Sequence, residues 1–303
     1  KNVNKARKKG AEVVVLLSHN GFDVDQKIAS LINGIDVILT GHTHDAIPKA
    51  IRIKNTLLLS SGSHGKYLGR IDLKVKNGKV VDTSSNLIPI FSDVIQPDKK
   101  MTELISKIRS PFENECNRVI GQTESLLYRR GNFNGTWDDV ICDAIMEQRD
   151  TEISLSPGFR WGTTLLPGQK ITIDDMYAQT SMNYPEVYRI EMTGERIKNL
   201  LEDVCDNIFN PDPFFQQGGD MVRVGGLTYT CYPKKKIGER ISNLRITSSD
   251  EPLISSKKYV VGGWGSVNPD VEGPAIYNLL EKYITEKKII KPKNSKPVKV
   301  LGM

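Results

Sequence analysis

Short apolar runs in the first hundred residues predict buried β-strands. Two of them, residues 12–18 and 35–40, are rich in β-branched side chains. Between them, residues 25–32 have the apolar spacing of an amphipathic helix, with Asp23 or Asp25 as its predicted cap. A strand, a helix and a strand of these lengths are typical of a βαβ unit. Its right-handed crossover places the carboxyl ends of two parallel strands at one edge of a sheet.

Further elements follow from the same pattern. Strands are predicted at 51–60, 67–76 and 79–82, and Asn77-Gly78 is typical of a tight hairpin turn. The spacing then changes, which predicts an amphipathic helix over 98–109. From about residue 119 helices and strands mix without an internal repeat. The predicted elements there are a helix at 138–149 capped by Thr136, strands at 152–156 and 188–192, a helix from Thr193-Gly194, strands near 226–232, 241–247 and 258–262, and a helix from Gly273-Pro274 to about Lys288.

These patterns predict an α/β region at 1–97, a linker helix at 98–118 and an α+β region at 119–303. With 303 residues, of which 26% are charged, the chain is long enough for two domains with cores of their own. No apolar run reaches the length of about eighteen residues that suggests a membrane span. The chain starts at Lys1 and leads quickly into a strand. We therefore expect it to begin within a domain and to be an incomplete fragment.

The net charge is +6 and the pI is near 9.0, with many lysines after residue 287. No aromatic stacking platform accompanies these lysines, so a solvated tail is a better interpretation than a nucleic-acid surface. The four cysteines lack CxxC spacing. Cys142 and Cys205 fall on apolar positions of predicted helices and Cys231 falls in a strand, so the count leaves the redox compartment open.

The four histidines all precede residue 65 and carry the strongest chemical signal. His42 and His44, in Gly41-His-Thr-His44, come directly after one predicted strand, and His19 follows the other. Imidazole nitrogens brought to one sheet edge predict a metal site with His19, His42 and His44 as ligands. Taken alone, His19 is more typical of a capped loop residue, and it is the βαβ geometry that pairs it with His42 which favours a ligand. His64 is more typical of a loop or of a supporting position than of a ligand.

Two-metal hydrolysis also uses carboxylates, which bridge the ions and balance their charge. The nearby aspartates are explained instead as a helix cap, a strand start and a turn residue; they are Asp23, Asp25, Asp36 and Asp45. Either the site holds one ion or its missing ligands precede Lys1. The abrupt start of the chain favours the second interpretation.

Ser18-His-Asn-Gly21 and Gly41-His-Thr-His44 resemble the last two metal motifs of the calcineurin-like metallophosphoesterases. The second region resembles the C-terminal substrate domain of the 5′-nucleotidase superfamily. Within that superfamily, residues 159–168 and 216–226 are similar to the SoxB-type thiosulfohydrolases of sulfur oxidation. The resemblance implies the C-terminal part of a calcineurin-like metallophosphoesterase α/β sandwich, followed by a 5′-nucleotidase-type C-terminal α+β domain.

The resemblance also implies a substrate-binding role for Arg160, at the position where an arginine grips the substrate anion. A guanidinium suits phosphate or sulfonate because paired N–H groups can meet paired oxygens. A structural salt bridge is the alternative. Asp220 and Arg223, in a glycine-rich loop, are further catalytic candidates, although a plain turn explains each equally well.

Aromatic residues near these positions suggest a channel wall or a core. They are Trp161, Phe214, Phe215 and Trp264. The sequences Ser156-Pro-Gly158 and Gly263-Trp-Gly-Ser266 depart from the usual nucleotidase pattern. These departures weaken the case for a site that binds a nucleotide base.

The resemblance thus implies a periplasmic thiosulfohydrolase with two divalent metal ions, manganese being the expected ion. Its substrate would be a cysteine S-thiosulfonate on the carrier protein SoxYZ, with sulfate as the released product and no nucleic-acid or membrane partner. A 5′-nucleotidase or related nucleotide phosphohydrolase is the alternative enzyme. A non-catalytic module that binds the carrier is a third hypothesis. We expect the 303 residues alone to be inactive, because half of the coordination sphere is missing from them.

Overall fold

A computed structural model describes residues 1–129, 131–160, 162–266, 268, 270–292 and 296–302. The chain forms two compact units. The first unit comprises Lys1–Ile105 and Asn210–Gly218, and the second comprises Ser106–Phe209 and Gly219–Met303. The domain limits near residues 97 and 119 stay a prediction from the sequence.

A mostly parallel four-stranded sheet organises the first unit. Its strands run in the order β1-β2-β4-β3, with β1, β2 and β4 parallel and β3 antiparallel to β4. The elements are α1 (Asn2–Lys8), β1 (Val15–Ser18), α2 (Phe22–Leu31), β2 (Val37–Thr40), β3 (Ile51–Ile53) and β4 (Thr56–Ser60). One face of the sheet packs on α2 through Ala29, Ile38 and Leu58. The predicted βαβ unit is therefore confirmed.

Three local predictions in this unit were wrong. Residues 51–60 form two strands, since Lys54 adopts a φ of +51° in a turn between them. The strand predicted at 12–18 begins only at Val15, and as the edge strand β1 it leaves Leu17 83% exposed rather than buried. The N-cap of α2 is Gly21, so neither Asp23 nor Asp25 caps it.

A long hairpin and a helix follow the sheet. The hairpin joins β5 (Tyr67–Lys76) to β6 (Lys79–Pro89), and the φ values of Asn77 and Gly78, +52° and +69°, suit the tight turn predicted there. Helix α3 (Lys99–Arg109) confirms the predicted amphipathic helix. The side chains at its apolar positions are between 49% and 60% exposed to solvent; they are Met101, Leu104, Ile105 and Ile108.

Three sheets and five helices make up the described part of the second unit. The helices are α4 (Glu113–Cys116), α5 (Thr136–Arg149), α6 (Ile173–Thr180), α7 (Gly194–Phe209) and α8 (Ile276–Lys287). The strands are β7 (Val119–Thr123), β8 (Ile153–Ser156), β9 (Lys170–Thr172), β10 (Tyr188–Thr193), β11 (Arg223–Gly225), β12 (Leu227–Cys231), β13 (Ile241–Ile246), β14 (Lys258–Gly263), β15 (Ile289–Ile290) and β16 (Val298–Val300). The sheet orders are β10-β14-β8-β11, β13-β12-β16 and β15-β7-β9.

Two apolar cores stabilise this unit. In the first, Trp137 and Ile141 of α5 pack with residues of α6 and α8. In the second, Cys205 of α7 packs against strand residues that include Cys231. The predicted helix cap was wrong by one position: Gly135 is the N-cap of α5, and the Thr136 hydroxyl instead donates to the Leu126 carbonyl.

The described helices include none with both the length and the apolar character needed to cross a membrane.

Candidate active site

His19 and His42 lie together at the carboxyl edge of the first unit's sheet. Strands β1 and β2 pair in parallel with Ser18 opposite Thr40, and the Gly41 N–H donates to the Ser18 carbonyl at 3.0 Å. The two imidazole centroids are 5.2 Å apart, with the ring planes at 66°. A Cβ on Gly41 would lie only 3.1 Å from His19 Nδ1. The glycine therefore allows this ring to approach the backbone closely.

The segment Gln217-Gly218 fixes the orientation of His42. His42 Nε2 lies 2.8 Å from the Gln217 carbonyl oxygen. A carbonyl only accepts hydrogen bonds, so this contact requires the proton on Nε2 and leaves the lone pair on Nδ1. Metal-binding histidines usually have this kind of second hydrogen bond, which sets their tautomer.

His44 lies in edge contact with the ring of His64. Their centroids are 6.0 Å apart, with the ring planes at 76°. His42, His44 and His64 all adopt positive φ, at +76°, +60° and +59°. Non-glycine residues rarely adopt this backbone region, and such strain concentrates at functional sites.

The histidines fit part of a metal site. Two neutral imidazoles in edge contact can ligate one transition-metal ion, and the tautomer of His42 leaves a donor nitrogen for it. Within the residues that the structure describes, however, no group of three or more His, Cys, Asp or Glu side chains gathers in a way that could hold a metal ion. The assignment of His19, His42 and His44 as ligands stays a prediction.

Asp25 supports the turn that carries His19, a role that the sequence interpretation missed. Its side chain is fully buried and accepts a hydrogen bond from the Ser18 hydroxyl at 2.7 Å. The Asn20 side-chain amide donates to the same hydroxyl at 2.9 Å. Ser18 and Asn20 flank His19 in the chain, so this cluster fixes both sides of the histidine.

We expect Asp25→Ala to cost about 1–3 kcal/mol of unfolding free energy, because the Ser18 hydroxyl then loses its buried acceptor. Urea denaturation of the 303-residue chain measures this loss. Asp23→Ala is the matched control, since Asp23 belongs to the same helical turn but is exposed. It should change the free energy by less than about 0.5 kcal/mol. Equal losses in the two variants would contradict the role of Asp25.

In the second unit, five charged side chains of alternating sign form a chain of ion pairs. Arg160 Nε lies 3.5 Å from Asp220, and Asp220 lies 3.1 Å from Arg223. Arg223 Nε lies 3.2 Å from Asp138, and Asp138 lies 2.7 Å from Arg129. We call these five residues the charge chain. Four of its side chains are at most 1% exposed, whereas Arg160 is 17% exposed.

The charge chain joins the three predicted catalytic residues and adds two that were not predicted. Burial raises the pKa of Asp220, and the positive charges of Arg160 and Arg223 oppose that rise. Arg223 is enclosed by Asp138, Asp220 and the Gly131 carbonyl, which accepts a 2.7 Å hydrogen bond. This setting suits a residue that holds its neighbours in place. The catalytic assignment of Arg160, Asp220 and Arg223 stays a prediction.

The aromatic candidates separate into a core residue and exposed residues. Trp264 is 3% exposed, donates from Nε1 to the Ser156 hydroxyl at 2.8 Å and contacts Phe159 edge-on. It is therefore a core residue. Phe214 and Phe215 are exposed in the first unit, and the Lys27 ammonium lies 4.3 Å from the Phe214 ring centroid. Trp161 lies outside the described residues.

Comparison with known proteins identifies the relatives of this chain. Residues 119–265 match the family described as the 5′-nucleotidase C-terminal domain. The sulfate thiohydrolase SoxB of Thermus thermophilus, solved with glycerol, superposes with a TM-score of 0.93 at 36% identity, over 99% of this chain and 57% of that chain. A 5′-nucleotidase precursor from the same organism gives a TM-score of 0.84 at 18% identity, over 100% of this chain and 66% of that chain. At 18% identity, the comparison with the 5′-nucleotidase precursor shows that the two folds are alike.

Curated relatives are more distant. The trifunctional nucleotide phosphoesterase YfkN of Bacillus subtilis is 27% identical over 78% of this chain and 16% of its own length. The 5′-nucleotidase of Diplobatis ommata is 21% identical over 83% of this chain and 49% of its own length. The chain thus spans about half or less of the length of these curated relatives. Together with the solved structures, they confirm the predicted fold class.

Proposed function

We propose that this chain, which belongs to the 5′-nucleotidase superfamily and has a SoxB-like fold, acts in the metal-dependent hydrolysis of a thiosulfonate. The observation that carries the proposal is the 36% identity to SoxB across 99% of the chain. The proposed substrate is a cysteine S-thiosulfonate on a SoxYZ-type carrier, and the proposed product is sulfate. A periplasmic location follows from the same proposal.

The first unit would supply metal ligands. We assign His19 and His42 to one ion, because their rings are in edge contact, and His44 to a second ion. When bound, two divalent ions, with manganese as the expected metal, would activate water and polarise the substrate. His42 would bind through Nδ1, since its Nε2–H is held by the Gln217 carbonyl. Asp25 would keep His19 in place through Ser18 and Asn20.

The second unit would bind the anionic end of the substrate through Arg160. Its guanidinium is the most exposed group of the charge chain, and its planar N–H groups match the oxygens of a sulfonate. Positive charge aimed at these oxygens would also stabilise the charge that develops on them during hydrolysis. Asp220 would orient Arg160 from the protein side.

A nucleotide phosphohydrolase is the second candidate, supported by the names of the curated relatives. One observation counts against it. Trp264 lies in a segment where the nucleotidase pattern differs, and its indole is buried against Ser156 and Phe159. An indole committed to the core in this way does not offer a face on which a base can stack.

The test compares two substrates with the full-length gene product and manganese. We expect sulfate release from a thiosulfonated carrier protein and little phosphate release from AMP. Phosphate release without sulfate release would overturn the proposal in favour of a nucleotidase. Carrier binding that is unaffected by a chelator, with no turnover of either substrate, would favour a non-catalytic binding module.

A further inference from the structure

We propose that Arg129, Asp138 and Arg223 are positioning residues that hold the Arg160 guanidinium in the orientation needed to bind an oxoanion. This inference rests on the proposed function, in which Arg160 grips the anionic end of the substrate. All of the contacts that support it lie within the second unit.

The contacts form a closed ring that starts and ends at the loop of Arg160. Arg129 Nη2 donates to the Pro157 carbonyl at 2.8 Å, three residues before Arg160, and its Nε donates to Asp138 at 2.7 Å. From Asp138 the ring continues through Arg223 and Asp220 back to the Arg160 side chain. One network therefore holds the backbone of this loop through a hydrogen bond and the Arg160 side chain through an ion pair.

Other contacts restrain the same loop. The Arg129 guanidinium carbon lies 5.4 Å from the centroid of the Phe159 ring, next to Arg160 in sequence. A Cβ on Gly158 would lie 2.3 Å from the Met221 carbonyl oxygen and 2.7 Å from the Asp220 carbonyl oxygen. The loop thus packs directly on the backbone of the residue that pairs with Arg160. Gly158 and Phe159, which precede Arg160 in the chain, therefore have little freedom to move.

Stability alone is a weak reason for such a network. Buried ion pairs lose much of their Coulombic gain to desolvation, and apolar replacements are often as stable. Directional contacts offer something that apolar packing does not. Each guanidinium is planar with donors in a fixed fork, so a carboxylate on one edge sets the direction of the other edge. Asp138 accepts a hydrogen bond from Arg129 and Asp220 accepts one from Arg223, whereas the Arg223–Asp138 and Arg160–Asp220 contacts are ion pairs at 3.2 and 3.5 Å. Each carboxylate therefore lies between two guanidinium groups, and through its charge it restrains where the Arg160 guanidinium can lie.

Arg129→Lys tests the inference, because lysine keeps the charge but cannot reach Asp138, the Gln179 carbonyl and the Pro157 carbonyl together. Arg240→Lys is the matched control. Arg240 is equally buried, donates to the Pro233 and Lys235 carbonyls and pairs with Asp206. Isothermal titration of the 303-residue chain with inorganic sulfate measures the affinity, and thermal denaturation measures Tm.

We expect both lysine variants to lower Tm, but only Arg129→Lys to weaken sulfate binding, by at least about tenfold, as the loss of one well-oriented charged hydrogen bond implies. Arg160→Met should abolish sulfate binding. If Arg160→Met binds sulfate as the natural chain does, the anion site of the proposed function is wrong. If it loses binding while Arg129→Lys keeps it, the positioning role alone is wrong.

Should circular dichroism show that Arg129→Lys is unfolded, Arg223→Lys takes its place with the same criterion. Natural sulfate affinity in a folded Arg223→Lys variant would overturn the positioning role. Equal loss of affinity in Arg240→Lys would also overturn it, because the effect would then follow from general destabilisation.

Discussion

Replacing Asp138 with alanine is expected to lower the free energy of unfolding by about 3–5 kcal/mol, the cost typical of breaking a buried ion pair by removing one partner. Asp138 lies between Arg129 and Arg223, and all three side chains are only 1% exposed. Without the carboxylate, two buried guanidinium groups face each other with no charge between them. Asp220 still pairs with Arg223, but among the described residues Arg129 keeps only carbonyl acceptors, so the desolvation of the two guanidinium groups is compensated only in part. Their mutual repulsion adds to the cost.

Urea denaturation of the 303-residue chain, followed by circular dichroism, measures the change. Asp174→Ala is the matched control, since it removes an ion pair of similar length, 3.0 Å to Arg109, in which both side chains are about half exposed. Water screens that pair, so its loss should cost no more than about 1 kcal/mol. If Asp138→Ala costs as little as the control, the buried charges do not depend on one another as the structure suggests.

The sequence predicted the first unit's histidine edge well because the signals there are local. Each strand is a short apolar run, each histidine follows a strand end, and parallel pairing converts that spacing into proximity. The contact between His19 and His42 confirms their predicted proximity, and their role as ligands stays a prediction. The role of Asp25 was missed for a similar reason. An aspartate near the start of a helix is typical of a cap, and only the fold shows that this one points inward to Ser18.

The charge chain could not be predicted in the same way. Its members come from a loop at Arg129, the first turn of α5, the loop before β9, the segment that leads into β11 and the first residue of β11 itself, and no spacing rule links these positions. The sequence indicated Arg160, Asp220 and Arg223 through a resemblance and a glycine-rich loop. Asp138 looked like an ordinary acidic residue at a helix start. Long-range charge pairing depends on how the sheet brings β8 beside β11, which local patterns do not encode.

Gly218→Ala is expected to lower the affinity for manganese by about 10–100-fold, the range typical of changes to a group that orients a metal ligand. A Cβ at this position would lie 2.4 Å from His42 Nε2, the atom that bonds to the Gln217 carbonyl. The imidazole must therefore rotate or shift, and the hydrogen bond that sets its tautomer is lost. The expectation rests on the proposed role of His42 as a ligand.

The neighbouring glycine offers an unusually close control. Gly219 also has positive φ, +90° against +74° for Gly218, but a Cβ there would meet nothing within 4 Å among the described residues. Both alanine variants therefore carry a backbone strain of about 1 kcal/mol, and only Gly218→Ala carries the collision with His42. Manganese titration, monitored by the loss of the free-ion electron paramagnetic resonance signal, compares them. Equal manganese affinities in the two variants would show that the affinity does not depend on the orientation of His42. The assignment of His42 as a metal ligand would then be wrong.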